Sequence, residues 1–79
     1  MDTVQIAETN IGKAIKAERK RQGLTQEQLG NRMGVQKAQV SKIESGKHLS
    51  YSSIRRAFLS LGVTSAVLDL GEMGRVALW

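Results

Sequence analysis

Small and cationic residues recur along one face of a short predicted helix, and their chemistry suits the edges of nucleic-acid bases. A helix over residues 36–45 that buries Val40 and Ile43 places on its opposite face Lys37, Ala38, Ser41, Lys42 and Ser45. Lysine can donate to guanine O6 and N7, and an alanine methyl can pack on the thymine methyl. No bulky side chain would keep this face out of the major groove, which is about 12 Å wide. The face is a candidate surface for reading base pairs.

The other reactive residue types do not form a catalytic or metal-binding set. The chain has no cysteine and a single histidine, His48, so a disulfide, a thiolate zinc site or a histidine metal centre is not expected. No paired carboxylates and no nucleophile with an accompanying base are apparent. We therefore expect no enzymatic activity, no cofactor and no metal.

The positive charge is concentrated in the middle of the chain. The formal net charge is +5, and residues 10–47 carry nine bases and three acids, whereas residues 1–9 carry two acids and no base. A basic segment attracts polyanions because binding releases their counterions, although a solvated helix surface would explain the same charges. Charge alone therefore agrees with nucleic-acid binding without identifying it.

Length and hydropathy indicate a small soluble protein. A chain of 79 residues can bury one modest core, which at this size often gains stability from a second subunit. No apolar run approaches the roughly 18 residues of a membrane span, and the first residues lack the apolar region of a signal peptide. We expect a cytoplasmic protein with no membrane contact.

Four predicted helices position the basic face. The first covers about residues 10–22, the second follows Thr25 as N-cap, the third covers 36–45, and the fourth follows Ser50 as N-cap. Each ends at a glycine, namely Gly23, Gly34, Gly46 and Gly62. Apolar residues at helical spacing define the predicted core: Ile11, Ala14, Ile15, Leu29, Met33, Val40, Ile43, Ile54, Ala57, Phe58 and Leu61.

The second and third helices are joined by a very short turn. Gly34 supplies the positive φ that such a turn requires, and Gly30, one helical turn earlier, allows the two helices to approach closely. Gln28 lies three residues after the Thr25 cap, which is the spacing of a capping box. These features are typical of a helix-turn-helix over residues 25–45.

This motif resembles the phage repressor and Cro-like (XRE) helix-turn-helix family. The resemblance covers about residues 10–62 and is carried by Ile11-Gly12, Arg19, Gly23-Leu24-Thr25-Gln26, Leu29, Gly34-Val35 and Val40-Ser41-Lys42-Ile43-Glu44-Ser45-Gly46. It implies a mainly α fold, a bundle of four or five helices whose third helix reads the major groove, usually from a symmetric dimer. Two positions depart from the family pattern, because Gln36 replaces a Ser or Thr cap and Gly30 replaces an alanine.

The resemblance also implies roles for individual residues. It makes Gln26 a phosphate-clamping residue at the start of the second helix, where free backbone N–H groups face the same anion. It places at the base-reading positions Lys37, Ala38, Ser41 and Lys42, with Gln36 and Gln39 on the flanks. Ser45 and Lys47 are expected to contact backbone phosphates. Arg19 and Glu44 are expected to form a partly buried structural ion pair between the first and third helices.

The two ends of the chain are predicted to differ from the helical domain. Residues 1–9 are either a frayed arm or an extension of the first helix that carries Val4. Residues 63–79 contain two β-prone runs around a turn at residues 71–74. They form either a hairpin folded on the fourth helix or a strand that pairs across a dimer axis, and we expect this tail to be the dimerisation element.

These features predict a sequence-specific homodimeric repressor that binds a palindromic operator in double-stranded DNA. The length and order of the elements resemble those of small antitoxin-type repressors, which implies autoregulation of an operon and a toxin protein as partner. A phage or chromosomal regulator without a toxin is the alternative in the same class. A helical interaction module that has lost DNA binding is the alternative from another class, although Gln26, Lys37 and Lys42 argue against it.

Overall fold

The computed structural model describes residues 11–47 and 49–79 and the backbone of residues 3–7; residues 1–2, residues 8–10 and His48 lie outside the described part. The elements in order are β1 (Thr3–Ala7), α1 (Ile11–Arg21), α2 (Gln26–Met33), α3 (Lys37–Glu44), α4 (Tyr51–Ser60), β2 (Ser65–Asp69), a 3-10 turn (Gly71–Met73) and β3 (Arg75–Ala77). The predicted mainly α fold with a C-terminal hairpin is confirmed. None of the helices in these described ranges is long and apolar enough to cross a membrane.

All the helices end through the same pair of backbone hydrogen bonds. At the end of α2, the N–H of Gly34 donates to the carbonyl of Asn31 at 3.3 Å, and the N–H of Val35 donates to the carbonyl of Gly30 at 2.9 Å. Gly34 has a φ of 75°, which a residue without a Cβ adopts at little cost. Equivalent bonds close the other helices at Gly23, Gly46 and Gly62. These compact ends allow α3 to follow α2 almost immediately.

The start of α2 is capped by side chains, whereas the start of α3 is not. Thr25 Oγ1 accepts the backbone N–H of Gln28 at 3.0 Å, and Gln28 Oε1 accepts that of Thr25 at 2.8 Å. The predicted capping box is therefore confirmed. Gln36 caps α3 without a side-chain hydrogen bond, as its weak capping tendency indicates. The position of α3 accordingly depends on how it packs.

The buried apolar core joins all the helices to the C-terminal hairpin. It consists of Ile15, Leu29, Met33, Val40, Ile43, Ala57, Phe58, Leu61, Val63 and Ala66. All of these except Val63 and Ala66 are predicted from helical spacing, and both exceptions come from the tail. The other predicted core residues, Ile11, Ala14 and Ile54, lie half-buried at its margin, together with Leu24 and Val35.

Two helical glycines allow direct contact between backbones. A Cβ added to Gly12 would lie 2.6 Å from the carbonyl oxygen of Glu44, so α1 packs against the last turn of α3 at this point. A Cβ added to Gly30 would lie 2.8 Å from the carbonyl oxygen of Val35. The close approach predicted at Gly30 is confirmed, and it explains why glycine rather than alanine suits this helix.

The strands form one sheet in which β2 is central. β1 pairs parallel to β2, with Thr3 opposite Ser65, and β3 pairs antiparallel to β2, with Val67 opposite Ala77. For residues 3–7 the expectation of a frayed arm or a helical extension is wrong. A parallel pairing partner that lies some sixty residues away along the chain leaves no local pattern in the sequence.

The tail folds back on α4 of its own subunit. The ring of Trp79 lies 5.9 Å from that of Phe58 and 6.1 Å from that of Tyr51, centroid to centroid. The hydroxyl of Tyr51 donates to the carbonyl of Leu78. The hairpin alternative is therefore confirmed. Because β2 already has a neighbour on each side, any pairing between subunits is restricted to the outer edges of the sheet.

Candidate nucleic-acid interface

The α3 helix separates a buried face from an exposed one. Val40 and Ile43 are each 1% exposed and belong to the core. The predicted base-reading residues all lie on the exposed side: Lys37, Ala38, Ser41 and Lys42. The single acidic residue of α3, Glu44, is buried. The surface that α3 presents is therefore cationic and free of carboxylates.

The flanking positions differ in how available their side chains are. Gln36 is exposed, Gln39 is half-buried, and Lys47 is exposed in the loop that follows α3. The hydroxyl of Ser45 donates its hydrogen to the carbonyl of Lys42 at 2.9 Å. A serine hydroxyl has only one hydrogen to donate. Ser45 would have to release this bond before it could donate to a phosphate oxygen.

Gln26 is held beside α3 although it belongs to α2. It is the first residue of α2 and is half-buried, and its Nε2 lies 3.2 Å from Glu44 Oε1. The first N–H groups of a helix have no acceptor within the helix, and the positive end of its dipole lies there. The structure thus brings a glutamine amide and the start of α2 together next to α3.

The predicted ion pair between Arg19 and Glu44 is confirmed. Arg19 Nε donates to Glu44 Oε2 at 2.6 Å, and Arg19 Nη2 donates to Glu44 Oε1 at 3.0 Å. The two side chains are 8% and 3% exposed, respectively. The hydrogen bonds to Glu44 raise the pKa of Arg19 above its ordinary value. Arg19 Nη1 also donates to the carbonyl of Leu24 at 2.7 Å, so one guanidinium connects α1, the loop before α2, and α3.

A second polar cluster, centred on Glu18, is absent from the sequence prediction. Glu18 accepts hydrogen bonds from Arg21 at 2.9 Å and from Gln22 at 3.0 Å, and Gln22 also donates to the carbonyl of Leu61. Hydrogen bonds from Arg21 lower the pKa of Glu18 to about 2. The signal that indicates this cluster is the spacing of three and four residues from Glu18 to Arg21 and Gln22, at the end of α1. It joins the ends of α1 and α4 and lies apart from the α3 surface.

Comparison with known proteins agrees with this geometry. A helix-turn-helix family model matches residues 15–68, which is more than half of the chain. No individual curated protein matches it significantly. The matched family is a DNA-binding regulatory domain and not an enzyme family. The protein is a DNA-binding transcriptional regulator that belongs to the XRE-type, phage repressor/Cro-like helix-turn-helix family.

Proposed function

We propose that this regulator is a repressor that binds a palindromic operator as a homodimer, with α3 in the major groove. The observation that carries the proposal is the exposed, carboxylate-free face of α3, which lies away from the face on which the same helix buries Val40 and Ile43. Repression follows from occupancy, because a dimer seated on an operator excludes other proteins from the same DNA.

Within this complex each candidate residue has a distinct role. Bases are read by Lys37, Ala38, Ser41 and Lys42, with Gln36 and Gln39 at the margins. Gln26 and Lys47 bind phosphates and fix the register of the helix on the duplex. Ser45 contributes to phosphate binding only if it exchanges its bond to the Lys42 carbonyl for one to DNA.

The dimer would place two α3 helices in successive turns of the major groove, about 34 Å apart. The outer edge of β3 is the candidate contact. Leu78 N–H donates to the Ala66 carbonyl and Leu70 N–H to the Gly74 carbonyl. Because the hydrogen-bonding direction alternates along an antiparallel ladder, the N–H and C=O groups of Val76 point toward β2.

The N–H and C=O groups of Arg75 and Ala77 then face outward and are available to a second copy. A two-fold axis at Val76 would pair Arg75 of each copy with Ala77 of the other and bury Val76, which is 47% exposed.

We further propose that the protein is the antitoxin of a toxin–antitoxin pair and regulates its own operon. Its support is the similarity in length and element order to small antitoxin-type repressors. A regulator without a toxin would use the same DNA interface. Expression of the protein encoded by the neighbouring gene distinguishes the antitoxin from a regulator without a toxin. Growth arrest that is relieved by co-expression of this chain would support the antitoxin role. Normal growth when the neighbouring protein is expressed alone would contradict that role.

Selection from a pool of random duplexes tests the DNA-binding proposal. We expect enrichment of a palindromic sequence whose half-sites are centred about one helical turn apart. Binding should weaken steeply as the salt concentration rises. Sedimentation of the complex should give two chains per duplex. Failure to enrich any sequence at low salt would instead favour an interaction module that has lost DNA binding.

A further inference from the structure

The carboxylate of Glu44 joins three helices, because it accepts hydrogen bonds from Arg19 of α1 and from Gln26 of α2. Glu44 Oε1 accepts hydrogen bonds from Gln26 Nε2 at 3.2 Å and from Arg19 Nη2 at 3.0 Å. We propose that Glu44 is a positioning residue for DNA binding, which orients the amide of Gln26 toward a phosphate. The inference rests on the proposed function, in which Gln26 binds that phosphate.

The chemistry of the carboxylate decides which end of the amide is presented. An ionised carboxylate only accepts hydrogen bonds, so the NH2 end of Gln26 has to face Glu44. One of the two amide N–H groups is used there, and the other remains free to donate to an anion. A freely rotating amide would also present its oxygen, which a phosphate repels. Glu44 therefore selects the productive orientation and reduces the side-chain entropy that Gln26 loses on binding.

Arg19 allows a carboxylate to lie behind a phosphate-binding residue. An unpaired carboxylate at this position would repel the phosphate. The two hydrogen bonds from Arg19 offset the charge of Glu44, while its oxygen still accepts a bond from Gln26. Arg19 also donates to the carbonyl of Leu24 at 2.7 Å, in the loop that leads into α2. The same guanidinium thus fixes both the carboxylate and the backbone that carries Gln26.

A double-mutant cycle on operator affinity tests this role. Glu44→Asp keeps the charge that faces Arg19 but is one methylene shorter, so its oxygen recedes from Gln26. We expect operator binding to weaken by about 3- to 10-fold, the range for one hydrogen bond, and no further loss when Glu44→Asp is added to Gln26→Ala. An equal loss in both backgrounds would assign Glu44 a purely structural role and overturn the proposal. Glu72→Asp, in the exposed 3-10 turn, is the matched control.

The side-chain amide of Gln26 provides a readout that does not require a variant to fold. In NMR spectra of the DNA-free wild-type chain, we expect its NH2 group to be ordered and protected from exchange, compared with that of exposed Gln36. Equal mobility of the two amides would overturn the proposal. Unchanged operator affinity in Gln26→Ala would also overturn it. If either result overturns the positioning role while Lys42→Ala still loses affinity for the operator, the proposed DNA-binding function stands without it.

Discussion

Arg19 Nε lies 2.6 Å from Glu44 Oε2, and this contact joins α1 to the last turn of α3. Its partners are separated by 25 residues along the chain. Close by, Gly12 brings the backbone of α1 directly against the carbonyl groups of Ile43 and Glu44. The C-terminal turn of α3 is therefore held by an ion pair and by steric fit. Both fix the angle at which the opposite face of α3 is presented.

Removal of Arg19 should be strongly destabilising. Arg19→Ala leaves the carboxylate of Glu44, whose side chain is 3% exposed, without its charged partner, and breaking a buried pair in this way costs about 3–5 kcal/mol. Urea denaturation followed by circular dichroism would measure the loss. Lys20→Ala, at the neighbouring exposed position, should change stability by no more than about 0.5 kcal/mol. Wild-type stability in Arg19→Ala would show that the pair is not structural.

Gly12→Ala should destabilise the protein although alanine favours helices. The new Cβ would lie 2.6 Å from the carbonyl oxygen of Glu44 and 2.7 Å from that of Ile43. These are backbone atoms that can move only with α3, so we expect a loss of about 1–3 kcal/mol, typical of overpacking. Lys13→Ala, the next residue on the exposed side, is the control. A rise in melting temperature for Gly12→Ala would mean that α1 and α3 are not in backbone contact.

The Glu18 cluster should make stability depend on acid pH. Hydrogen bonds from Arg21 lower the pKa of Glu18 from 4.5 to about 2 in the folded protein. The contribution of Glu18 to the free energy of unfolding is therefore fully present above pH 4.5 and is lost as the pH falls toward 2. The stability difference between wild type and Glu18→Gln should shrink across this interval. A difference that stays constant down to pH 2 would contradict the lowered pKa.

Trp79 should contribute through its ring rather than through its indole N–H. The buried Nε1 has no acceptor in the described part of the chain, whereas the ring contacts Phe58 and Tyr51. Trp79→Phe keeps an aromatic ring and should change stability by less than about 1 kcal/mol. Trp79→Ala should cost about 1–2 kcal/mol, because the lost ring is only partly buried. Equal losses in the two variants would reveal a hydrogen-bond partner for the indole.

The sequence predicts the helices well because each carries its own local signals. The spacing of apolar residues locates α1 to α4, and one glycine, for example Gly34 after α2, marks the C-terminal end of each helix. The strand β1 is not predictable in this way, since its pairing with β2 joins distant segments. The sequence predicts the hairpin only as one of two alternatives, and the packing of Trp79 on α4 shows that the hairpin forms, while the outer edge of β3 stays available for the proposed pairing with a second copy.

The exposed face of α3 is predictable for a related reason. Once Val40 and Ile43 are buried, the helical period places Lys37 and Lys42 outside the buried face. Contacts between side chains of different elements carry no such period. The bond from Gln26 to Glu44 and the bond from Ser45 to the Lys42 carbonyl therefore require the three-dimensional structure.

The most direct test of DNA reading by α3 is the affinity of Lys42→Ala for the selected operator and for all of its single-base variants. We expect this variant to lose about 1–3 kcal/mol of discrimination at one symmetric pair of positions. Gln26→Ala is the matched comparison and should weaken binding to all sequences alike, because a phosphate contact carries no base information. The opposite pattern, uniform weakening in Lys42→Ala and altered base preference in Gln26→Ala, would contradict the placement of α3 in the major groove.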